Sequence, residues 1–124
     1  MLSAIIYAKD LAAMVDLYQE LLDTEILEQG DSFCTMNGGG FSLTIVQIPT
    51  ELADTFTITT PPRAREDAAI KLSFPVLNLD AARAILRRHG GVDEVEHSRW
   101  EWNGTVHLNV VDLEGNVVEL TAST

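Results

Sequence analysis

The sequence predicts an α+β fold: two tandem β-α-β-β-β modules whose curved mixed sheets form a concave cleft. Two internal matches carry that prediction. A shift of 68 residues lays Ile6-Tyr7-Ala8-Lys9-Asp10-Leu11 over Phe74-Pro75-Val76-Leu77-Asn78-Leu79, in both copies an apolar strand running into an Asp-Leu or Asn-Leu helix start. A shift of 75 lays Gly40-Phe41-Ser42-Leu43-Thr44-Ile45 over Gly115-Asn116-Val117-Val118-Glu119-Leu120, a glycine turn entering a strand. A repeat that carries its own helix and strands defines an architecture. Residues 1–48 form the first module, 49–68 the connecting loop and 69–124 the second module of a single domain.

Residues 2–8 alternate weakly and read as a strand. Asp10 is a good N-cap, and Leu11, Met14, Val15, Tyr18, Leu21 and Leu22 recur at helical spacing, so a helix runs to about Asp23. Three short strands follow at about 24–29, 32–37 and 41–48, separated by turns at Gly30-Asp31 and Asn37-Gly38-Gly39-Gly40. Pro49, Pro61-Pro62 and the threonines between Thr57 and Thr60 argue against regular structure in 49–67. Ile70, Leu72, Phe74 and Val76 alternate as a strand. Asn78 or Asp80 then caps a helix carrying Leu79, Ala82, Ile85 and Leu86, with Arg87 and Arg88 in its last turn and Gly90-Gly91 as its stop. Strands are expected at about 92–99, 102–111 and 116–122.

A chain of 124 residues is the size of one domain with one good core, and 46% apolar with 22% charged residues is an ordinary globular composition. No apolar run approaches the roughly 20 residues that span a bilayer, and Met1-Leu2-Ser3-Ala4 has no basic region ahead of an apolar stretch. A cytoplasmic location is therefore expected. Cys34 is the only cysteine, which excludes an internal disulfide and a cysteine-rich zinc site. The net charge of −11 disfavours nucleic acid and anionic membranes as partners and favours cationic ligands.

Period-2 alternation assigns the sheet faces. Leu2, Ala4, Ile6 and Ala8 face the first helix, leaving Ser3, Ile5 and Tyr7 on the open face. Phe41, Leu43 and Ile45 leave Ser42, Thr44 and Val46 there. In the second module Ile70, Leu72 and Phe74 face the helix, leaving Lys71 and Ser73. Val106, Leu108 and Val110 leave Thr105, His107 and Asn109, and Val118 and Leu120 leave Val117, Glu119 and Thr121. The open face is thus the polar one, which suits a binding cleft.

The doubled unit, with Asp10-Leu11 opening the first helix and Asp112-x-x-Gly115-Asn116-x-x-Glu119-Leu120 closing the chain, resembles the vicinal oxygen chelate superfamily. Glyoxalase I, extradiol dioxygenases, methylmalonyl-CoA epimerase and the fosfomycin and bleomycin resistance proteins are members. Metal-dependent members carry ligands at up to four equivalent positions, which the resemblance places on Ser3, Thr44, Lys71 and Glu119. Of these only Glu119 has a metal-ligating side chain. A protonated lysine repels a divalent cation, and one carboxylate does not hold Zn²⁺, Ni²⁺ or Fe²⁺. No metal and no cofactor are expected. His107 is expected to face the same cavity as Glu119, which still leaves too few ligands.

Lys71 and Glu119 are expected to face each other, as a charged pair that grips a ligand or as an ion pair that fills the vacated metal position. Trp100 and Trp102, two residues apart, fall on one face and read as an aromatic wall for a flat or cationic ligand, or as packing. Metal-free members of the bleomycin-resistance type have a Trp near this point, are acidic, and bind a cationic drug between two subunits. Cys34 sits mid-strand as an inert buried thiol. The leading expectation is a metal-independent protein that binds amphipathic, aromatic or cationic small molecules, antibiotics among them. Ser3, Tyr7, Thr44, Lys71, Trp100, Trp102, His107 and Glu119 would line the cleft of a homodimer. The alternative is a glyoxalase-like lyase or isomerase, or a dioxygenase-related enzyme, with Glu119 as metal ligand or as a general base whose pKa burial raises.

Overall fold

The computed structural model describes residues 2–124, and the chain divides into two compact units, one ending at Thr57 and the other beginning at Ile58. The first contains β1 (Leu2–Ala8), α1 (Leu11–Leu22), β2 (Glu25–Gln29), β3 (Phe33–Gly38), β4 (Phe41–Gln47) and the single helical turn α2 (Thr50–Ala53). The second contains β5 (Ser73–Pro75), α3 (Leu79–His89), β6 (Trp100–Trp102), β7 (Thr105–Val111) and β8 (Val117–Ser123). No helix among the described residues is long and apolar enough to cross a membrane.

Each unit holds one open four-stranded sheet, ordered β1-β4-β3-β2 in the first and β5-β8-β7-β6 in the second. The outer pairs β1·β4 and β5·β8 are parallel and the remaining pairs antiparallel. A parallel pair needs a crossover connection, and in each unit the helix begins that crossover.

The helices form where the sequence places their caps. The Asp10 carboxylate accepts from Ala13 N at 3.1 Å to open α1, and the Asn78 carboxamide accepts from Ala81 N at 2.8 Å to open α3. Gly90, with φ 97, closes α3 in the left-handed region, where glycine is favoured. Met14, Val15, Leu17, Tyr18 and Leu21 of α1 are buried on β3 and β4, and Leu79, Ala82 and Leu86 of α3 are buried on the second sheet. Ile6, Ala8, Leu43, Ile45, Val106, Leu108, Val110, Val118 and Leu120 fill the sheet side of these layers. Burial at roughly 25 cal/mol per Å² of apolar area is what holds each helix on its sheet.

Three expectations about elements need correction. The stretch 92–99 is not a strand; it runs beside β7 on single contacts, Val92 bridging Val111 and Val95 N donating to Asn109 O at 2.8 Å. Asp93 explains the departure, because Arg83 Nη2 at 2.9 Å and Arg87 Nη1 at 2.6 Å draw it to the helix. The hairpin strand beside β7 is instead Trp100–Trp102, with the turn at Asn103-Gly104. Second, β5 is confined to Ser73–Pro75, and Ile70, expected against the helix, is exposed. Ser73 pairs with Glu119, and this register would bring Ile70 opposite Asn116, before β8 begins. Third, the stretch after Pro49 contains α2, whose Ala53 is buried.

A buried carboxylate holds the turn that joins β7 to β8. Fully buried Asp112 accepts from Glu114 N at 2.9 Å, Asn116 N at 3.0 Å and Asn116 Nδ2 at 2.8 Å. Gly115, with φ 90, lets Arg63 O lie where a side chain would begin, and Arg65 N donates to Gly115 O at 2.8 Å.

Candidate functional site

Five of the eight sequence candidates, Lys71, Trp100, Trp102, His107 and Glu119, fall in the second unit, and register places Trp100, Trp102, His107 and Glu119 on one sheet face. β6 and β7 pair Trp100 with His107 and Trp102 with Thr105, β7 and β8 pair Asn109 with Glu119, and β5 and β8 pair Ser73 with Glu119. Directly paired residues point to the same side of a sheet, so Trp100, Trp102, Thr105, His107, Asn109, Ser73 and Glu119 share the face away from α3. Ser3, Tyr7 and Thr44 occupy the corresponding face of the first unit. Ser3 lies opposite Ser42 and Tyr7 opposite Val46, both exposed, and Thr44 Oγ1 lies 2.9 Å from Thr35 Oγ1.

The centre of the second face is Glu119, whose side chain is 14% exposed. Ser73 Oγ donates to Glu119 Oε1 at 2.7 Å, and His107 Nδ1 stands 3.2 Å from the same oxygen, at ion-pair distance but off the line of a hydrogen bond. Both contacts fall on Oε1. Among the described residues Glu119 Oε2 has no partner, and it is left for an incoming donor. Burial pushes the carboxyl pKa up, but the Ser73 hydrogen bond, the His107 contact and the Lys71 charge outweigh it and hold Glu119 below its ordinary value of 4.5. This corrects the expectation of a raised pKa and is the opposite of what a general base at neutral pH needs.

Trp100 covers His107 with ring centroids 3.8 Å apart and planes 7° from parallel. The stack fixes the imidazole against Glu119 and leaves Trp100 itself 49% exposed; Trp102, at the end of the hairpin, is 69% exposed. Two indoles thus stand on the same side of one short strand as an ionised carboxylate, the elements of a platform for a flat or cationic molecule.

The expected confrontation of Lys71 with Glu119 is not found. Lys71 Nζ donates to Asn109 Oδ1 at 3.2 Å, and the nitrogen that stands against Glu119 is His107 Nδ1. Lys71 lies before β5 begins, so the residue beside Glu119 in the sheet is Ser73. Ser73 and Asn109 are missing from the sequence candidates, although alternation puts both on the open face. The two repeat shifts contain the pairing as well: Ile5 pairs with Thr44, and shifts of 68 and 75 carry that pair onto Ser73 and Glu119.

The donor set does not fit a divalent metal. Among the described residues no group of three His, Cys, Asp or Glu side chains stands together, and beside His107 and Glu119 the nearest polar groups are a hydroxyl, a carboxamide and an ammonium. The remaining nucleophile, Cys34, is buried on β3, and burial pushes its thiol pKa up, which makes it inert.

The family model of the Glyoxalase/Bleomycin resistance protein/Dioxygenase superfamily matches residues 1–120. No curated protein matches the chain. Among solved structures, a glyoxalase/bleomycin resistance protein/dioxygenase family enzyme from Burkholderia phytofirmans PsJN is similar at 16% identity and a TM-score of 0.70, over 98% of this chain and 97% of that one. A glyoxalase/bleomycin resistance protein from Albidiferax ferrireducens T118 is similar at 15% identity and 0.68, over 99% and 97%. A lactoylglutathione lyase from Agrobacterium tumefaciens is similar at 17% identity and 0.59, over 98% and 92%. At such identities the likeness is one of fold.

Proposed function

The chain belongs to the Glyoxalase/Bleomycin resistance protein/Dioxygenase superfamily, and we propose that within it this protein binds a small aromatic or cationic molecule without a metal. The carrying observation is the stack of Trp100 on His107 beside Glu119, whose Oε2 is unclaimed. An ionised carboxylate next to an indole offers a cation both a counter-charge and a π face. Each contributes on the order of 1 kcal/mol at a partly exposed site. General-base and metal-assisted chemistry are poorly served here. A carboxyl held below its ordinary pKa is a weak base, and the donor set lacks the ligands to activate water or a carbonyl oxygen.

Titration with benzyltrimethylammonium, read by tryptophan fluorescence, tests this. The expected result is a saturable change, indifferent to a chelator and weakened about tenfold by Glu119→Gln or Trp100→Ala. A titration with no saturation up to about 10 mM, binding untouched by both substitutions, or binding that requires a divalent metal would overturn the proposal.

A further inference from the structure

We infer that the open face of the second unit is built for a zwitterion: a small aromatic molecule carrying both an ammonium and a carboxylate, of which ring-bearing α-amino acids are the simplest examples. This rests on the reading that the face binds a small aromatic ligand and specifies which one.

The face carries one charge of each sign, and the two are kept from cancelling. Lys71 and Glu119 form no ion pair; the Lys71 ammonium is held at 3.2 Å by the neutral carboxamide of Asn109. Asn109 is the direct cross-strand partner of Glu119, so an amide sits between the two charges. An ammonium has three donors, and the Asn109 contact uses one. Glu119 accepts from Ser73 on Oε1, the oxygen that His107 Nδ1 also approaches, and keeps Oε2 open. A ligand ammonium can therefore reach Glu119 Oε2 and a ligand carboxylate can reach Lys71 Nζ, while the ring lies against Trp100.

Selectivity follows from the same layout. A simple amine gains the attraction of Glu119 but meets the like charge of Lys71, and a simple acid meets Glu119 in the same way. Like charges held close together repel and unlike ones attract, so each mismatched ligand is disfavoured and the dipolar one is favoured twice. The first unit has no such pair. The positions that the repeat shifts match to Lys71 and Glu119 are Ser3 and Thr44, both uncharged.

Calorimetric titration with L-phenylalanine, phenethylamine and 3-phenylpropionate tests the assignment. L-Phenylalanine should bind at least about tenfold more tightly than either single-charge analogue. Lys71→Met should bring its affinity down to that of phenethylamine, and Glu119→Gln down to that of 3-phenylpropionate. Lys71→Gln, which keeps a hydrogen-bonding side chain, should behave as Lys71→Met does if the charge matters. Phenethylamine binding as tightly as the amino acid would overturn the zwitterion assignment and leave the cation-binding reading intact. Equal binding of 3-phenylpropionate would overturn it too. Absence of heat from all three would overturn it as well, and if benzyltrimethylammonium also fails, the broader proposal falls with it.

Discussion

The two units share strand order, crossover and register, yet their open faces differ in chemistry. Where the second unit pairs Ser73 with Glu119, the first pairs Ile5 with Thr44. Where the second pairs His107 with Thr121, the first pairs Phe33 with Val46. The stack of Trp100 on His107 has as its counterpart the Phe33 ring lying over Gly30. One face carries hydroxyls, the Asn37 amide and apolar side chains, with Glu25 and Glu28 on its edge strand; the other holds a central carboxylate, an imidazole, an ammonium and two exposed indoles. The backbone frame is common because the helix-facing residues are apolar in both copies. The helix-facing set therefore determines the fold, and the alternate residues are free to carry chemistry in one copy only.

The turns give the sharpest way to break that comparison. Buried Asp112 holds the β7–β8 turn, whereas Asn37, near the end of β3 in the first unit, has an Oδ1 buried without a partner. Asp112→Ala should cost about 3 kcal/mol or more in urea unfolding, because it strips two backbone N–H groups and an amide of a buried charged acceptor. Asn37→Ala should cost under about 1 kcal/mol, since no bond is lost. Equal losses would mean the two side chains do the same work.

Gly115 and Gly40 sharpen the point. Both have positive φ, 90 and 93, but a side chain at Gly115 would strike Arg63 O, while Gly40 faces open space. Gly115→Ala should cost about 2–3 kcal/mol and Gly40→Ala about 1 kcal/mol, the first adding a clash to the strain that both share.

A third pair separates charge from packing. Thr44→Val should cost about 1 kcal/mol at every pH, through the lost hydroxyl contact with Thr35. Glu119→Gln should have an effect that depends on pH. The folded pKa of Glu119 lies below its ordinary value of 4.5, so its stabilisation is present above that value and lost as pH falls through the folded pKa. The gap between wild type and variant should therefore narrow on acidification from about pH 5, as melts in a pH series would show. A gap that widens would reverse the sign assigned to this carboxylate. The smallest effect is expected at Trp102, where Ala should change stability by less than about 0.5 kcal/mol, against about 1 kcal/mol for Trp100→Ala with its stack on His107.

Much of this is written in the sequence, and the failures have a common cause. Alternation sorts Leu43 from Thr44 and Leu108 from His107 correctly because one face of each sheet is buried under a helix. It fails at Ile70, an apolar residue whose would-be partner strand has not yet begun. It fails at 92–99, where valines are interspersed with acids and two arginines on α3 claim Asp93. The site was legible as a face and not as a set of contacts. Lys71 could be assigned to the same side as Glu119, but whether its flexible side chain would reach the carboxylate or Asn109 depends on distances that periodicity does not contain.

The shift between copies is 68 at β1 and α1 but 75 at the last strand, so the second copy has taken on extra residues after its helix without losing register. Four of the added residues lengthen the β6–β7 hairpin, where Trp100 and His107 are seven apart against three for Gly30 and Phe33, and the stretch from Asp93 to Arg99 takes up others, with His97 in the left-handed region and exposed. A place where the chain has already absorbed length is a place to add more. A labelling peptide inserted between Glu96 and His97 should leave both sheets assembled and provide a handle for immobilising the protein away from its buried layers.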